Sequence, residues 1–149
     1  MMRFHRIGMD GEIVIRESPE SLDHQALLNS LNLDGCGAVV SFLGITRGHD
    51  NGKEIYRLEF DAWQDKLGKV LGDLANEAVT RFGVKKIAIS HRIGSVAAGE
   101  NIVSIHVAGT HRKEAFQACE WLIDELKLQA PIWKKEVSET GESWKAGLG

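Results

Sequence analysis

The sequence predicts a single α+β domain with about three helices and a mixed or antiparallel β-sheet. Apolar residues recur at helical spacing in long segments and alternate with polar residues in several short ones. The 149 residues suit one domain, residues 1–149, and they contain no repeat, low-complexity tract or linker. Hydrophobic residues make up 43% of the chain and charged residues 26%, so a buried core can form.

The first predicted elements are a strand and a helix. Residues Glu12 to Arg16 alternate as a short strand does. Ser18-Pro19 has the pattern of an N-cap followed by proline at the first helical position. The helix is therefore predicted to run to about Leu31, and Asp34-Gly35 would end it.

A buried strand and a polar loop are predicted next. Residues Cys36 to Leu43 form a nearly continuous apolar run, which is typical of a strand buried on both faces. The residues from Gly44 to Gly52 are glycine-rich and polar, and they indicate a loop that carries Arg47. In the following strand, Ile55 to Phe60, the alternation predicts that Tyr56, Leu58 and Phe60 share one side.

The remaining elements are predicted from their spacing. They are an amphipathic helix from about Trp63 to Phe82, an antiparallel pair of strands over Ile87 to Ile93 and Ile102 to Ala108, a helix from Arg112 to about Gln129, and a short strand from Ile132 to Val137. Pro131 ends the last helix, because proline disfavours helical angles at the residue before it. The tail from Ser138 to Gly149 is predicted to be loose.

Composition excludes several classes of protein. The net charge is −3 and the isoelectric point about 6.1, which argues against a general nucleic-acid binder. No run approaches the ~20 apolar residues that span a bilayer, so no membrane association and a cytoplasmic location are predicted. Cys36 and Cys119 lack a Cys-x-x-Cys pattern, and the histidines lack metal-ligand spacing. Two reduced thiols, no metal and no cofactor are expected.

Basic residues begin the third predicted helix. His111, Arg112 and Lys113 lie in or beside the first turn, where the helix dipole disfavours cations. Backbone N–H groups, a guanidinium and an imidazole together could bind a phosphate or a carboxylate. The alternative is a solvated helix start in which Glu114 serves as the counter-ion.

More basic residues follow near the end of the same helix. Lys127 lies at the edge of the apolar face, where it could enter a pocket or could cap the helix and pair with Asp124. The chain reverses after Pro131 and could return Lys134 to Lys127. Because side chains alternate along a strand, Lys134 and Lys135 would face opposite sides, and only one of them could enter a given pocket.

Several short motifs occur in an order typical of one family. They are Gly37-Ala38-Val39-Val40-Ser41-Phe42-Leu43-Gly44 with Arg47, His91-Arg92-Ile93-Gly94, His111-Arg112, and Lys127 through Ala130-Pro131-Ile132-Trp133-Lys134-Lys135-Glu136. In this order the sequence resembles the large, catalytic subunit of molybdopterin synthase, over about Gly35 to Trp144. The resemblance implies an α/β-hammerhead type fold and a sulfurtransferase that converts cyclic pyranopterin monophosphate (precursor Z) to molybdopterin.

The resemblance also implies partners. Two sulfurs would come from the C-terminal Gly-Gly thiocarboxylate of a small ubiquitin-like sulfur-carrier subunit. A homodimer of the large subunit would form the centre of a heterotetramer. This chain has no plausible catalytic cysteine, which is consistent with a partner protein that supplies the sulfur.

Site residues follow from the same resemblance. Ile45, Thr46 and Arg47 would line the substrate pocket, and His111 and Arg112 would hold the anionic end of the substrate across the dimer. The catalytic residues would be Lys127 and Lys134, with Lys135 and Glu136 in the second basic stretch of the pocket.

Two other functions remain open at this point. One is a non-enzymatic α+β adaptor whose basic pocket binds the anionic C-terminus of a partner protein. The other is a phosphoesterase that uses His111 and Arg112, which the lack of paired carboxylates or metal ligands disfavours.

Overall fold

The structure is a computed structural model that describes residues 2–7, 11–62 and 66–146. In this part of the chain, two sheets and three helices form the predicted α+β fold. The elements in chain order are β1 Met2–Ile7, β2 Gly11–Ser18, α1 His24–Asn29, β3 Ala38–Ile45, β4 His49–Asp50, β5 Lys53–Ala62, α2 Lys66–Phe82, β6 Lys86–Arg92, β7 Gly94–Ala97, β8 Asn101–Gly109, α3 Arg112–Gln129, β9 Ile132–Ser138 and β10 Gly141–Ala146.

The first sheet is mixed and has the strand order β1-β2-β6-β8-β3. β2 and β6 are parallel, and the other neighbours are antiparallel, including the predicted pair β6 and β8. Alternation along β6 gives the sheet two faces: Ile87 and Ile89 belong to the main core, and Ala88 belongs to a smaller apolar cluster with Leu27 of α1. Helices α2 and α3 cover the first of these faces, and α1 covers part of the other.

The second sheet is antiparallel and is arranged around β5. This strand pairs with β4, β7 and β9, and β10 extends the sheet beyond β9. Only Ile93 separates β6 from β7, so the chain passes there from the first sheet to the second. The end of α3 leads through Ala130 and Pro131 into β9, which brings the C-terminal end of this helix close to both sheets.

Helix α3 has the predicted bounds because its apolar residues recur at helical spacing. The buried residues are Ala115, Ala118, Cys119, Leu122 and Leu126. The helix ends where Ala130 adopts extended angles before proline, while its N–H still bonds to the carbonyl of Leu126.

Helix α1 is shorter than predicted and begins later. Asp23, not Ser18, is its N-cap, and the Asp23 side chain accepts a hydrogen bond from the N–H of Ala26 at 2.9 Å. The prediction was wrong because β2 continues to Ser18, which pairs with Arg92 of β6. The Arg92 guanidinium also donates to the Ser18 carbonyl at 3.0 Å, which favours the extended path.

Strand β3 is not buried on both faces, contrary to the prediction. It lies at the edge of the first sheet, and Val39 and Ser41 on its outer face are exposed. The physical reason is that α1 has only six residues and packs on β6 and β8, so it leaves this edge uncovered. The apolar run in the sequence therefore did not predict how much of this strand is buried.

Three other predictions need correction. Residues 138–146 are not a loose tail, because β9 extends to Ser138 and Gly141–Ala146 pairs with it as β10, while residues 147–149 lie outside the described part. No strand was predicted ahead of Glu12, yet Met2–Ile7 pairs with β2.

Tyr56 does not share the buried side of Leu58 and Phe60, since the register shifts between Ile55 and Arg57 and leaves Tyr56 48% exposed. The predicted start of the second helix, residues 63–65, lies outside the described residues.

Gly37 is the position where a side chain is expected to cost most stability. A Cβ atom there would lie 2.4 Å from the backbone carbonyl oxygen of Thr110, and a backbone atom cannot move aside by a rotamer change. We expect Gly37→Ala to lower the free energy of unfolding by about 2 kcal/mol or more, measured by urea denaturation. Gly48→Ala is the control, because its Cβ would meet only Ala98 at 3.8 Å. Equal stability of the two variants would contradict the expected clash.

Candidate active site

A pocket of about 340 Å³ opens where the two sheets meet the C-terminal end of α3. The C-terminal ends of β3, β6 and α3, the start of β8 and parts of β5 and β9 contribute to it. Its lining residues are Phe42, Leu43, Gly44, Ile45, Leu58, Phe60, His91, Ile102, Val103, Ile123, Leu126, Lys127 and Lys134. Most of the lining is therefore apolar, and the charged side chains in it are two lysines.

The structure brings Lys127 and Lys134 to the same pocket. Lys127 is in the last turn of α3 and is exposed, and the buried Leu126 beside it anchors this turn to the core. Lys134 is half-buried and pairs in register with Phe60, another lining residue. Two ammonium groups over apolar walls attract anions more strongly than they would in open water, because the walls lower the local dielectric constant.

Lys135 and Glu136 do not line this pocket. Lys135 lies on the opposite face of β9, as the alternation predicted, with its Nζ 3.6 Å from a Glu59 oxygen and 5.4 Å from the centre of the Trp144 ring. The hydrogen bond from Arg57, and in smaller measure Lys135, lower the pKa of the Glu59 carboxyl. Glu136 is buried, and its carboxylate lies 3.5 Å from the Lys53 ammonium.

The stretch from Ile45 to Arg47 is divided among three environments. Ile45 lines the pocket and is 52% exposed. Thr46 is buried, and its backbone bonds to the Glu100 carbonyl and the Gly99 N–H. Arg47 extends into solvent outside the lining, where its guanidinium lies 3.9 Å from the Asp50 carboxylate.

His111 and Arg112 lie at the other end of α3. With Gly37, Ala38, Thr110 and Lys113 they line a separate, open depression of about 410 Å³. The N-cap residue, His111, makes no side-chain capping bond. At 1.5 Å per residue, about 22 Å of helix separate Arg112 from Lys127. A single chain therefore does not bring the two basic groups together.

His91 is a polar side chain at the pocket that the sequence did not indicate as a site residue. Its Nδ1 lies 2.6 Å from the Arg92 carbonyl oxygen, and its ring meets the ring of Phe60 edge to face at 5.3 Å. Burial lowers the pKa of His91 to about 4, although the bond to the Arg92 carbonyl opposes this shift. The imidazole is thus neutral at physiological pH.

Stability should therefore depend on pH through His91. In the unfolded chain the imidazole is protonated below its ordinary pKa of 6.5, whereas in the folded protein it is protonated only below about pH 4. The contribution of neutral His91 to stability is therefore fully present above pH 6.5 and is lost as the pH falls from 6.5 to about 4. Between pH 7.5 and 4.5 this contribution amounts to about 2–3 kcal/mol. Urea denaturation at both pH values measures the free energy of unfolding. The decrease in this free energy from pH 7.5 to 4.5 should be smaller by that amount in His91→Gln than in the unchanged protein. Identical losses would contradict the assignment.

Neither His106 nor Cys119 lines the pocket. His91 pairs with Val103 and His106 with Ala88, so the two histidines do not face each other. His106 instead bonds to Ser41 on the face of the sheet that α1 covers, and burial lowers the pKa of His106.

Burial raises the pKa of the Cys119 thiol to about 11, which leaves little thiolate at neutral pH. Among the described residues no group of three or more His, Cys, Asp or Glu side chains could hold a metal ion.

Most of the apolar lining was not predicted from the sequence. Ile123 could have been found, because it lies four residues before Lys127 on the same helix. Phe60 and His91 carry no such signal, since they come from strands distant in sequence that the tertiary structure brings together. No helix in the described part of the chain is long and apolar enough to cross a membrane.

Comparison with known proteins agrees with this fold. Residues 17–129 match the family model described as MoaE protein. The molybdopterin synthase catalytic subunit of Pyrococcus abyssi is 34% identical over 136 residues, which cover 91% of this chain and 92% of that protein. The protein of the same name from Pseudomonas aeruginosa is 37% identical over 137 residues, which cover 91% of this chain and 91% of that protein.

Solved structures resemble the chain over most of its length. A molybdopterin synthase crystal structure from Staphylococcus aureus has a TM-score of 0.82 at 31% identity, covering 88% of this chain and 96% of that one. A complex of subunits 1 and 2 of the molybdopterin-converting factor from Helicobacter pylori has a TM-score of 0.72 at 27% identity, with 87% and 88% covered. On the match to the family model and these relatives, the chain belongs to the MoaE protein family.

Proposed function

We propose that this chain is the catalytic subunit of a molybdopterin synthase, a cytoplasmic sulfurtransferase that converts cyclic pyranopterin monophosphate to molybdopterin. The observation that carries the proposal is the convergence of Lys127 and Lys134 on one mostly apolar pocket. The family membership and the names of the relatives support the same reaction.

The pocket suits the charges of this reaction. The pterin carries a phosphate, and the sulfur donor is a thiocarboxylate, so both reactants are anions. Their mutual repulsion must be offset where they meet, and two ammonium groups in an apolar pocket provide this although the whole chain is acidic. The apolar walls suit the flat faces of the pterin rings.

The two lysines have different surroundings, which favours different roles. Lys127 is exposed at the end of a rigid helix, where a flexible amine can approach the reacting atoms. We assign to it proton exchange with the reacting groups, or attack as an amine on the acyl carbon of the carrier after the sulfur has bonded to the pterin. This attack breaks the bond between the acyl carbon and sulfur, leaves the sulfur on the pterin and forms an amide that water then hydrolyses to the carboxylate. Lys134 is half-buried on β9 and orients the thiocarboxylate or stabilises negative charge that develops on it.

The depression at the start of α3 completes the site from a second copy of the chain. His111 and Arg112 are too far from Lys127 within one chain, so their proposed contact with the anionic end of the substrate requires a homodimer. A symmetric dimer would contain two identical sites of this kind. Thr46, Arg47, Lys135 and Glu136 do not line the pocket in one chain, and they are proposed to contact the substrate or the carrier when these are bound.

The small ubiquitin-like carrier is the proposed partner of each pocket. Its Gly-Gly tail has no side chains and is therefore narrow, and its terminal thiocarboxylate would meet the two lysines that line the pocket. One carrier at each end of the dimer gives a heterotetramer. The complex of two subunits seen in the Helicobacter pylori relative supports a partner of this kind.

Anaerobic incubation with cyclic pyranopterin monophosphate and a thiocarboxylated carrier tests the proposal. Mass spectrometry should detect a product that has gained two dithiolene sulfurs, together with the carrier in its carboxylate form. A chain that binds the carrier and never consumes the pterin would favour the adaptor function instead. Absence of product under conditions in which a reference synthase works would refute the proposal.

A further inference from the structure

His91 differs in chemistry from every other described residue that lines the pocket. Two of the thirteen lining residues are lysines, whose ammonium groups donate hydrogen bonds and cannot accept them. Ten others have apolar side chains or, at Gly44, none. Among the described lining residues, His91 is thus the side chain that can accept a hydrogen bond from a ligand.

The contacts of His91 fix which nitrogen is the acceptor. A carbonyl oxygen only accepts hydrogen bonds, so the 2.6 Å contact with the Arg92 carbonyl places the hydrogen on Nδ1. In a neutral imidazole the lone pair is then on Nε2. The edge-to-face contact with Phe60 holds the ring in its plane.

Nothing in the described part of the chain satisfies this acceptor. His91 is 1% exposed, and its hydrogen bond to the protein is made through Nδ1. Nε2 forms no hydrogen bond with the described residues, and it is not among their fully buried unpaired atoms, so it keeps a small accessible area. An oriented acceptor without a protein partner at the wall of a ligand pocket is suited to a donor on the ligand.

We infer that His91 is a specificity-determining residue that accepts, through Nε2, a hydrogen bond from an N–H or O–H group of the heterocycle bound near Lys127 and Lys134. The inference rests on the proposed function and deepens it. The lysines attract any anion of suitable size, whereas His91 selects ligands that present a donor at one point. A pterin, which carries ring and amino N–H groups, is such a ligand.

Two amide substitutions separate the two nitrogens of the ring. The amide of His91→Asn can reach the position of Nδ1 but is too short for that of Nε2, whereas the amide of His91→Gln can extend to Nε2. Binding of cyclic pyranopterin monophosphate to the dimer is measured by calorimetry, with circular dichroism to check the fold. We expect His91→Asn to bind about tenfold more weakly and His91→Gln to stay within about threefold of the unchanged protein.

Modified ligands provide an independent test. Pterins that are each methylated at a different N–H group are compared in the unchanged protein and in His91→Asn. One of them should lose about tenfold affinity for the unchanged protein and less than about twofold for the variant, because the variant has already lost the acceptor. Equal losses for every methylated pterin would overturn the inference.

The outcomes also separate this inference from the proposed function. If the unchanged protein converts the pterin while His91→Asn and His91→Gln bind it equally well, only the role of His91 is refuted. If the unchanged protein binds the pterin but yields no product with the carrier, the proposed function is refuted, and a difference between the two variants still supports the acceptor. Absence of pterin binding by the unchanged protein would overturn both.

Discussion

Lys127→Ala is expected to lower the turnover of the pterin by at least about 100-fold, because it removes the amine that is proposed to exchange protons or to attack the acyl group. The fold should remain intact. Lys127 is exposed in the last turn of α3, and alanine has a high helix propensity. The rate of dithiolene formation under single-turnover conditions is the measurement, with urea denaturation to confirm unchanged stability.

Lys69→Ala is the matched control for this experiment. Lys69 is also an exposed helical lysine, but it lies on α2 and its ammonium is 2.8 Å from the Asp73 carboxylate. Exposed ion pairs of this kind contribute little to stability, so neither turnover nor stability should change measurably. Near-normal turnover in Lys127→Ala would remove Lys127 from the catalytic role, whereas equal losses in both variants would indicate a general effect of charge.

Mixing two inactive variants is expected to restore activity if the site is shared between two chains. Arg112→Ala and Lys127→Ala each damage both sites of their own dimers. In a mixed dimer, one site carries both changes and the other carries neither. Random mixing makes half of the dimers mixed, with one intact site of two, so about a quarter of the original activity should return. Co-expression with two different affinity tags allows the mixed dimer to be isolated and its turnover measured.

The pair Lys127→Ala and Lys134→Ala is the control for mixing. Both lysines line the same pocket of one chain, so every site in a mixed dimer still carries one change. Activity should stay low with this pair. Recovery with the control pair, or none with Arg112→Ala and Lys127→Ala, would contradict the assignment of Arg112 to the partner's site.

The length of α3 gives this arrangement its physical basis. The helix holds cations at both ends, with the depression lined by His111 and Arg112 at its start and the lysine pocket at its end. A rigid helix keeps them about 22 Å apart, so neither flexible side chains nor small backbone movements can join them in one chain. Association of two chains is the simplest way to combine both groups in one site.

Much of the fold could be predicted from periodicity. The bounds of α3, the antiparallel pairing of β6 with β8 and the opposite orientation of Lys134 and Lys135 are confirmed. These features depend on local spacing and on the alternation of side chains, which a sequence displays directly. The limits of α1 and the burial of β3 were wrong because pairing and coverage by distant segments decided them.

The candidate site shows the same division. Local sequence identified the basic residues at both ends of α3 and in β9, because charge and helical position can be read along the chain. The sequence also determined the family, through the order of several short motifs. It did not show that His91 lies beside Lys127 and Lys134, or that Lys135 lies outside their pocket.

Only the tertiary structure decided these placements. His91, Phe60 and Lys134 come from β6, β5 and β9, and contacts between two sheets bring them together at the end of α3. Such contacts depend on register and packing between segments far apart in sequence, which no local pattern encodes. The sequence alone thus determined the helices, the charges and the family, whereas packing between the sheets selected which polar side chains share the pocket.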